Sequence, residues 1–386
     1  MNIVVLANTV LVKRGISGGD IVLPFINKYW NGRFNLKVMT TSQGKAVWEH
    51  IGSKADFNLL PHLKYEDYEW KFTFLFTYII RTIFAYFRLK KMTGKGDVVL
   101  SASDFFPDVL PSYLLREHKK FYWVARVYHL IKSPSERKGS FLLNILSYAL
   151  QKISLDLIKK RADLVLTPVG TYKDLLGLGF RESRVAISNP GVDIEEIDSV
   201  QKSDKAIDAI YIGALLFNKG SYDIPKIWAK VVEKLPKARL IVIGGGPKHE
   251  VEAFRNEIQE KGLSGNIEYL GFVKDIRDVY AQLKASRLLI LTGHENGWSI
   301  PVSEAFACGI PVVAYNLKMF GTAFTRGFIT VPLHDIDAFA QEAISVLTDD
   351  KKRQNLANEA YREGRQLGWD KIAIDLAKNI GRLAQS

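Results

Sequence analysis

Short apolar runs rich in β-branched residues alternate with helical patterns along most of this chain. The first half contains the runs IVVLA, LKVMTT and DVVLSAS, together with amphipathic segments such as DIVLPFINKYW and PDVLPSYLLRE. The second half repeats the arrangement with AIYIGAL, RLIVIGG, NIEYLGF, RLLILTG and PVVAY, again separated by helical patterns. This alternation is typical of βαβ units and parallel sheets, so we predict an α/β protein with two doubly wound, Rossmann-like domains.

The chain length and one polar stretch suggest where the two domains divide. A chain of 386 residues exceeds what one hydrophobic core usually supports. Residues 189–205, NPGVDIEEIDSVQKSDK, are polar, contain Pro190 and Gly191, and lack sustained apolar periodicity, which predicts a hinge. We therefore predict an N-terminal domain over residues 1–195, a second domain over residues 205–365, and a C-terminal helix over residues 366–386.

Charge and cysteine content narrow the classes of function. The single cysteine, Cys308, lies in an apolar-flanked run, so no disulfide can form within the chain, and a reducing cytoplasm is expected. The N-terminal apolar run follows no basic segment, which favours a first strand over a signal peptide. A formal net charge of +12 favours an anionic partner, either nucleic acid, acidic lipid or a phosphorylated substrate. Zinc-finger spacing and RNP-type aromatic motifs do not occur, so nucleic acid is not expected.

One segment, residues 70–91, is unusually aromatic and apolar and ends in Arg88, Lys90 and Lys91. Arg81 interrupts it, and the apolar pieces on either side are too short to span a bilayer. Two interpretations stay open. The segment is either a helix packed on the N-terminal sheet or an interfacial helix with aromatic anchors and basic residues for acidic lipid.

Function is expected in the loops that follow the strands, because open parallel sheets bind ligands at the carboxyl ends of their strands. Gly18 and Gly19 follow the first strand and open a helix, where glycines let backbone amides approach a phosphate or sugar, or simply allow a tight turn. The run from Gly244 to Gly246 precedes a proline and lacks G-x-G-x-x-G spacing, which excludes a nicotinamide site.

The most informative segment is HENGWSIPVSEAFACGIPVVAY, which follows the strand RLLILTG. Its loop leads into a helix predicted to begin near Ile300 or Pro301, since proline suits a first helical turn. The amides of Gly297, Trp298 and Ser299 would then face an anion, as helix N-termini do. Glu304 is predicted in the first turn, where its carboxylate can accept two ribose hydroxyls.

This segment resembles the retaining family called group 1 glycosyltransferases, whose signature is a glutamate, Gly-Phe-Gly, and a helix with a second glutamate eight positions after the first. Glu304 matches the second glutamate. The first falls on Asn296, while a glutamate stands one position earlier, at Glu295. Gly297 matches the glycine, and Trp298 and Ser299 stand in place of the phenylalanine and second glycine.

The resemblance extends over nearly the whole chain. In YIGALLFNKG, Gly213 and Lys219 match the family's phosphate-binding stretch, but Ala214 replaces its arginine. That loss implies weaker leaving-group stabilisation, by about 3 kcal/mol if nothing replaces the cation. Candidate replacements are Lys318, Arg326, Lys13 and Arg14. The segment ending at Val273 is similar to the family's strand and loop that hold the nucleobase through backbone contacts.

Two polar residues at strand ends complete the expected site in the first domain. His129 is similar in position to the family's active-site histidine near the sugar, although a histidine at a strand end is often structural. Asp104 is expected in an acceptor-side wall or, alternatively, as the cap of a helix from Pro107.

The resemblance implies a GT-B architecture, in which an acceptor-side domain and a nucleotide-sugar domain face a deep cleft. It implies transfer with retention from a nucleotide diphosphate sugar to a glycan or lipid-linked acceptor, with no metal and no covalent cofactor. Lys219 would contact the phosphate, Glu304 the ribose, and Asn296 or Glu295 the sugar; Ile300 lies in the same loop.

The basic charge favours an acceptor at an anionic membrane surface, on the inner face of the plasma membrane. The alternative is a catalytically impaired scaffold or regulatory partner, in which Ala214 and Asn296 mark a decayed site. Asp335 and Asp337 formally match an Asp-x-Asp metal motif, but they open a helix and are interpreted as its cap and first-turn acid.

Overall fold

The computed structural model describes residues 1–9, 18–30, 32–61, 73–137, 140–294 and 298–383. These residues form two compact units. The first contains residues 1–190 and 370–386, and the second contains residues 191–369. The chain therefore leaves the first unit, builds the second, and returns to the first.

The described part of the first unit contains a seven-stranded, fully parallel sheet. Its strands are β1 (Asn2–Ala7), β2 (Asn35–Thr40), β3 (Asp56–Leu59), β4 (Val98–Ser101), β5 (Tyr122–Arg126), β6 (Leu164–Thr167) and β7 (Val185–Ile187). They lie in the order β3-β2-β1-β4-β5-β6-β7, so β2 and β3 lie on one side of β1 and β4 to β7 lie on the other. The central strands β4 and β6 are buried along their whole length because helices cover both faces of such a sheet.

The helices of this unit are α1 (Gly18–Trp30), α2 (Ser42–His50), α3 (Thr73–Met92), α4 (Phe106–Lys119), α5 (Phe141–Arg161), α6 (Val169–Gly177) and, after the second unit, α14 (Trp369–Leu383). The core between sheet and helices includes Trp123, Phe121 and Ile158. The C-terminal helix α14 is fixed to α1 by the indole of Trp30, which donates to the carbonyl of Ala373 at 2.9 Å.

The described part of the second unit contains a six-stranded parallel sheet in the order β10-β9-β8-β11-β12-β13. Its strands are β8 (Ala209–Ile212), β9 (Leu240–Ile243), β10 (Ile267–Gly271), β11 (Leu289–Leu291), β12 (Val312–Tyr315) and β13 (Phe328–Val331). Its helices are α7 (Ile194–Ser199), α8 (Ile224–Lys234), α9 (Lys248–Glu260), α10 (Ile276–Ala285), α11 (Ile300–Ala307), α12 (Ile336–Thr348) and α13 (Asp350–Gly364). The predicted fold class, two doubly wound parallel sheets, is confirmed.

The chain passes from the first unit to the second after Pro190, within the polar stretch predicted as a hinge, but part of that stretch is helical. Residues 191–205 belong to the second unit, and α7 forms within them. Asp193 caps this helix by accepting from the amide of Glu196 at 3.2 Å, and Ile197 is buried against Tyr280. A helix of six residues is too short to show an apolar period in the sequence. In α7 the buried residue is Ile197.

Helices α3 and α5 of the first unit bury several polar residues and expose several large apolar ones, although they also contribute Ala85, Leu89, Leu155 and Ile158 to the core. In α3, Thr77, Arg81 and Thr82 are buried, while several large apolar side chains are exposed: Phe76, Ile79, Ile83, Phe84 and Phe87. In α5 the buried positions include Asn144, Gln151 and Ser154, and the exposed ones are Phe141, Leu142, Ile145 and Ile153. A surface helix usually turns large apolar side chains of this kind toward the core.

Among the described residues, α5 is the one helix long and apolar enough to cross a membrane. About 28% of its apolar window is buried inside the protein. Helices α3, α4 and α5 form an apolar groove. It is lined by Tyr78, Ile79, Thr82, Ile83, Phe106, Leu110 and Leu150. We refer to the exposed apolar residues of α3 and α5, with this groove, as the apolar helical face.

Candidate functional site

The peptide of Lys219 is held at the carboxyl ends of β8 and β11. The hydroxyl of Tyr211, on β8, lies 3.2 Å from the carbonyl oxygens of both Ala214 and Lys219. The Thr292 hydroxyl donates to the same Lys219 carbonyl at 3.3 Å, and the amide of His294 donates to the carbonyl of Asn218 at 3.0 Å. These contacts fix the loop that carries Lys219 against the loop that follows β11.

Two glycines allow backbone segments to approach one another closely at this edge of the sheet. Gly220 has a φ of 68°, and a Cβ there would lie 1.8 Å from the carbonyl oxygen of Thr292. Gly244, at the end of β9, has a φ of 142°, and its Cβ would lie 1.8 Å from the carbonyl oxygen of Gly213. Only glycine fits either position, because any side chain would collide with backbone.

The loop after β11 leads into α11 as predicted. The helix begins at Ile300, and Ser299 is its cap, accepting from the amide of Val302 at 3.4 Å. Trp298 packs its ring on Phe324, with centroids 4.8 Å apart, which gives it a place in the apolar cluster of this unit. Glu295, Asn296 and Gly297 lie outside the described residues, so their predicted roles stay predictions.

Glu304 is the fifth residue of α11, so its predicted position in the first turn is wrong, because the helix begins at Ile300; its carboxyl group is buried. The hydroxyl of Tyr280, on α10, donates to its Oε1 at 3.1 Å. Burial raises the pKa of Glu304 to about 7, and the hydrogen bond from Tyr280 opposes that rise. The group is therefore poised to change charge near neutral pH, a property common in binding and catalytic sites.

The remaining predicted residues of the second unit lie at the same edge of the sheet. Gly213 follows β8 and donates its amide to the carbonyl of Ile243 at 2.9 Å. Val273 follows β10 and is half-buried. Because all six strands are parallel, the loops that carry Gly213, Lys219, Val273 and Ser299 share one edge, where ligands of such sheets bind.

The structure separates two candidates for the cation that Ala214 lacks. Lys318 follows β12 and is therefore at the carboxyl edge, beside the loops described above. Arg326 precedes β13 and lies at the opposite edge, where its amide donates to Glu363 at 3.0 Å. Lys13 and Arg14 lie outside the described residues. Of the two described candidates, only Lys318 is at the edge where a diphosphate is expected.

In the first unit, the glycine pair lies at the start of α1, which begins at Gly18. Tyr128, just after β5, donates its hydroxyl to the carbonyl of Gly19 at 2.9 Å. A Cβ on Gly19 would lie 3.1 Å from the Tyr128 ring, so a larger residue would have to displace that ring. The start of α1 is thus fixed to the carboxyl end of β5.

Asp104 and His129 are brought together by Gln151 of α5. The Gln151 side-chain amide donates to Asp104 at 2.7 Å and to the carbonyl of His129 at 2.9 Å. Burial raises the pKa of Asp104, while the Gln151 hydrogen bond and the nearby His129 act against that rise. His129 is exposed.

The alternative role of Asp104 as a helix cap is wrong. The helix α4 begins at Phe106, its cap position is Phe105, and that cap has no side-chain hydrogen bond. The buried carboxylate accepts from Gln151 instead, and its predicted place in an acceptor-side wall stays a prediction.

Asp335 caps α12 by accepting from the amide of Ala338 at 2.9 Å, which confirms the interpretation of this residue as a helix cap.

Metal-ligating side chains of the described residues lie together in a place that the sequence did not indicate. Among the described residues, Asp223, His294 and His334 lie together, their ligand atoms within 4.8 Å of one another. Asp223 precedes α8 and the histidines follow β11 and β13, so only the order of the strands brings them together.

Chemically, the edge of the second sheet offers a cation, a buried carboxylate and a helix N-terminus. Lys219 is a positively charged residue of one of these loops, and the capped start of α11 has a dipole that favours an anion. Glu304 supplies an acceptor for hydroxyl groups. This combination suits a phosphorylated, hydroxyl-rich ligand such as a nucleotide.

Comparison with known proteins identifies the family. Residues 193–363, nearly the whole second unit, match the family model described as glycosyl transferases group 1. The second unit of the chain thus matches the group 1 glycosyltransferase family. The match contains every described residue of the second unit that the sequence singled out, from Gly213 to Glu304.

Curated relatives in this family match over part of their length. A D-inositol 3-phosphate glycosyltransferase of Kribbella flavida is 26% identical over 215 residues, covering 50% of each chain. A poly(glycerol-phosphate) alpha-glucosyltransferase of Bacillus subtilis is 26% identical over 158 residues, covering 40% of this chain and 23% of the relative. The chain spans about half the length, or less, of the curated relatives it matches.

Solved structures share the fold over the whole chain. Sucrose-phosphate synthase from Thermosynechococcus elongatus aligns with a TM-score of 0.76 at 14% identity, covering 100% of both chains. Anabaena HepE, solved in complex with UDP and glucose, aligns with a TM-score of 0.75 at 16% identity, covering 99% of this chain and 100% of its own. The family and the GT-B fold inferred from the sequence are both confirmed.

Several residues that hold this site were not found from the sequence. Tyr211 and Thr292 fix the Lys219 loop, Tyr280 contacts Glu304, and Tyr128 and Gln151 organise the first unit. Each is an ordinary strand or helix residue whose partner is distant in sequence. Without the strand order, no local pattern distinguishes them from core residues.

Proposed function

We propose that this protein transfers a sugar with retention from a nucleotide diphosphate sugar to a glycan or lipid-linked acceptor. The observation that carries the proposal is the placement of the Lys219 loop. It is fastened by Thr292 and the amide of His294 to the loop that leads into α11. A cation and a helix start at one sheet edge are what a departing diphosphate requires.

The donor is proposed to be a uridine diphosphate sugar. Support comes from Anabaena HepE, which shares the fold and is described in complexes with UDP and with UDP-glucose. In this chain, Lys219 would neutralise the diphosphate, Glu304 would accept the ribose hydroxyls, and the backbone near Val273 would hold the base. Asn296 or Glu295 would contact the sugar, and His129 and Asp104 are the residues of the first unit proposed to act in the transfer.

The proposed transfer needs no metal and no covalent cofactor. As the bond to the sugar breaks, negative charge develops on the diphosphate, and fixed donors stabilise it without rearrangement. Lys219 and the amides at the start of α11 serve that role. Lys318 is proposed to replace the cation lost at Ala214, because it lies at the carboxyl edge of the sheet.

Replacing Lys219 by alanine tests this assignment. We expect turnover, measured as release of sugar from UDP-glucose and related donors, to fall by roughly 100- to 1000-fold. Lys226→Ala is the matched control, since Lys226 is exposed on the neighbouring helix α8 and should leave turnover unchanged. Equal turnover in Lys219→Ala and Lys226→Ala would remove Lys219 from the mechanism.

A second candidate function is a scaffold or regulatory partner that keeps the fold without catalysis. The observation that favours it is Ala214, which lacks the charge of the family's arginine. The two functions differ in a screen of uridine, guanosine and adenosine diphosphate sugars. An enzyme gains thermal stability and releases sugar with one of them, whereas a scaffold does neither.

We also propose that the protein acts on the inner face of the plasma membrane, docked through the apolar helical face. Several large apolar side chains of α3 and α5 are exposed, an arrangement that suits a lipid surface and costs free energy in water. Lys90 and Lys91 at the end of α3, and Lys152 and Lys160 on α5, are exposed and complement acidic headgroups. Arg88 is half-buried and donates to the side chain of Asn58, so it is not counted among these exposed cations.

Flotation with lipid vesicles tests the docking. We expect the protein to float with phosphatidylglycerol-containing vesicles at low salt and not with neutral ones. Phe84→Glu and Phe87→Glu should each weaken binding about tenfold or more, because a buried phenylalanine contributes about 1.5–3 kcal/mol. Both residues are exposed, so the fold should tolerate the change.

Ile374→Glu is the matched control, an exposed apolar residue on α14 of the same unit. It should float as the wild type does. The docking proposal is wrong if Phe84→Glu and Ile374→Glu float equally well.

A further inference from the structure

Three loops of the second unit bring one carboxylate and two imidazoles together. Oδ2 of Asp223 lies 3.0 Å from Nε2 of His294 and 3.8 Å from Nδ1 of His334. The three ligand atoms all lie within 4.8 Å of one another. One oxygen of Asp223 thus lies within 4 Å of a nitrogen of each histidine ring.

These distances are close to those of a first-row transition-metal site. A tetrahedral Zn²⁺ ion binds imidazole nitrogen and carboxylate oxygen at about 2.0–2.2 Å, which places its ligands roughly 3.3 Å apart. The distances from the Asp223 oxygen to the two histidine nitrogens, 3.0 and 3.8 Å, differ from that separation by no more than 0.5 Å. To bind the ion, the two histidine nitrogens, which lie within 4.8 Å of each other, would move closer together. His334 is 57% exposed, so its ring has room to move.

The surroundings orient the ligands as outer-shell groups do in metal sites. The hydroxyl of Tyr315, at the end of β12, donates at 3.1 Å to Oδ2 of Asp223, the same oxygen that faces the histidines. The ring of Phe217 packs edge-on against His294, with centroids 5.5 Å apart. Partners of this kind fix ligand orientation and restrict water, and losing them typically weakens metal binding.

The backbone at His334 also matches a ligand position. His334 has a φ of 66°, in the left-handed region that glycine or asparagine usually occupies. This conformation, in the turn between β13 and α12, directs the ring toward Asp223 and His294. The exposed side of the same ring provides an entry path from solvent.

We propose that Asp223, His294 and His334 bind a divalent transition-metal ion of the zinc class, with water as the fourth ligand. The ion would join the loops around β8, β11 and β13 on the carboxyl edge of the second sheet. His294 is the residue before Glu295, and its amide holds the peptide beside Lys219. The metal therefore braces the donor-side loops and takes no part in the transfer itself.

Titration of the protein, free of any histidine tag and stripped with chelator, tests this site. We expect Zn²⁺ to bind with about one equivalent per chain and to raise the melting temperature. Co²⁺ bound in its place should give the visible absorption of a four-coordinate ion. His334→Gly should weaken Zn²⁺ binding by at least roughly tenfold and abolish the rise in melting temperature.

His334→Gly suits the left-handed backbone, so the metal-free variant should fold and melt no lower than the metal-free wild type. His249→Ala removes an exposed histidine of α9 and should bind Zn²⁺ as the wild type does. The proposal is overturned if His334→Gly binds Zn²⁺ as tightly as His249→Ala, which would leave a metal-free hydrogen-bonded cluster. The measurement needs no donor or acceptor, so it stands or fails independently of the proposed transfer.

Discussion

Glu304 is a carboxyl group whose charge depends on two neighbouring effects. Burial in α11 favours the neutral acid and raises its pKa to about 7, whereas the hydroxyl of Tyr280 stabilises the anion. Under the proposed function the anion is the form that accepts ribose hydroxyls. The protein would therefore hold its donor well above pH 7 and poorly below it.

We predict that the affinity for UDP-glucose falls as pH decreases through about 7, because protonation removes the charge on Glu304. Tyr280→Phe removes the hydrogen bond that favours the anion, so the midpoint should move to higher pH. Calorimetric titration between about pH 5.5 and 8.5 measures both. A flat profile in the wild type, or an unchanged midpoint in Tyr280→Phe, would contradict this role for Glu304.

Single residues differed in how far the sequence identified them. Lys219 and Glu304 stand in motifs that are local in sequence, and both lie on the sheet edge where ligands are expected. Tyr280 and the Asp223 cluster depend on which strands are neighbours, because their partners come from separate loops. A linear sequence carries the first kind of information and not the second.

The element that carries Lys219 depends on one glycine. Gly220 ends the short turn after β8 in a left-handed conformation, directly against the backbone of Thr292. An added methyl group would lie 1.8 Å from the Thr292 carbonyl oxygen. The turn would have to move away from β11, and Lys219 with it.

We predict that Gly220→Ala destabilises the second unit by about 2 kcal/mol or more, through backbone strain and the collision with Thr292. It should also weaken binding of UDP. Gly265→Ala is the control, since nothing lies within 4 Å of its added Cβ. Denaturation and UDP titration of both variants would test this, and equal behaviour would show that the turn tolerates a side chain.

At the level of elements, apolar runs predicted the strands well because parallel strands are buried on both faces. The runs IVVLA, DVVLSAS, RLIVIGG and PVVAY lie in β1, β4, β9 and β12. Helices were harder to interpret from the sequence where they expose large apolar side chains. The aromatic residues of α3 look like a core-facing set in sequence, and only their exposure distinguishes the interfacial interpretation from the packed one.

The whole chain crosses between its two units twice, once after Pro190 and once after Trp369. The last helix, α14, therefore contributes to the core of a unit whose other elements all precede residue 191. Leu376, Ala377 and Ile380 are buried in this helix, and Ala373 accepts the hydrogen bond from Trp30. The C-terminal residues should thus control the stability of the N-terminal unit.

We predict that Leu376→Ala destabilises the first unit by about 2–5 kcal/mol, the usual cost of removing a buried leucine side chain. Hydrogen exchange resolved by peptide should show faster exchange in α1 and its neighbouring strands, while peptides from β8 to β13 keep their wild-type rates. Ile374→Ala, at an exposed position two residues earlier, should change neither set. If Leu376→Ala accelerated exchange in the second unit instead, α14 would have to be assigned to that unit, because unfolding spreads first through the elements whose packing is lost.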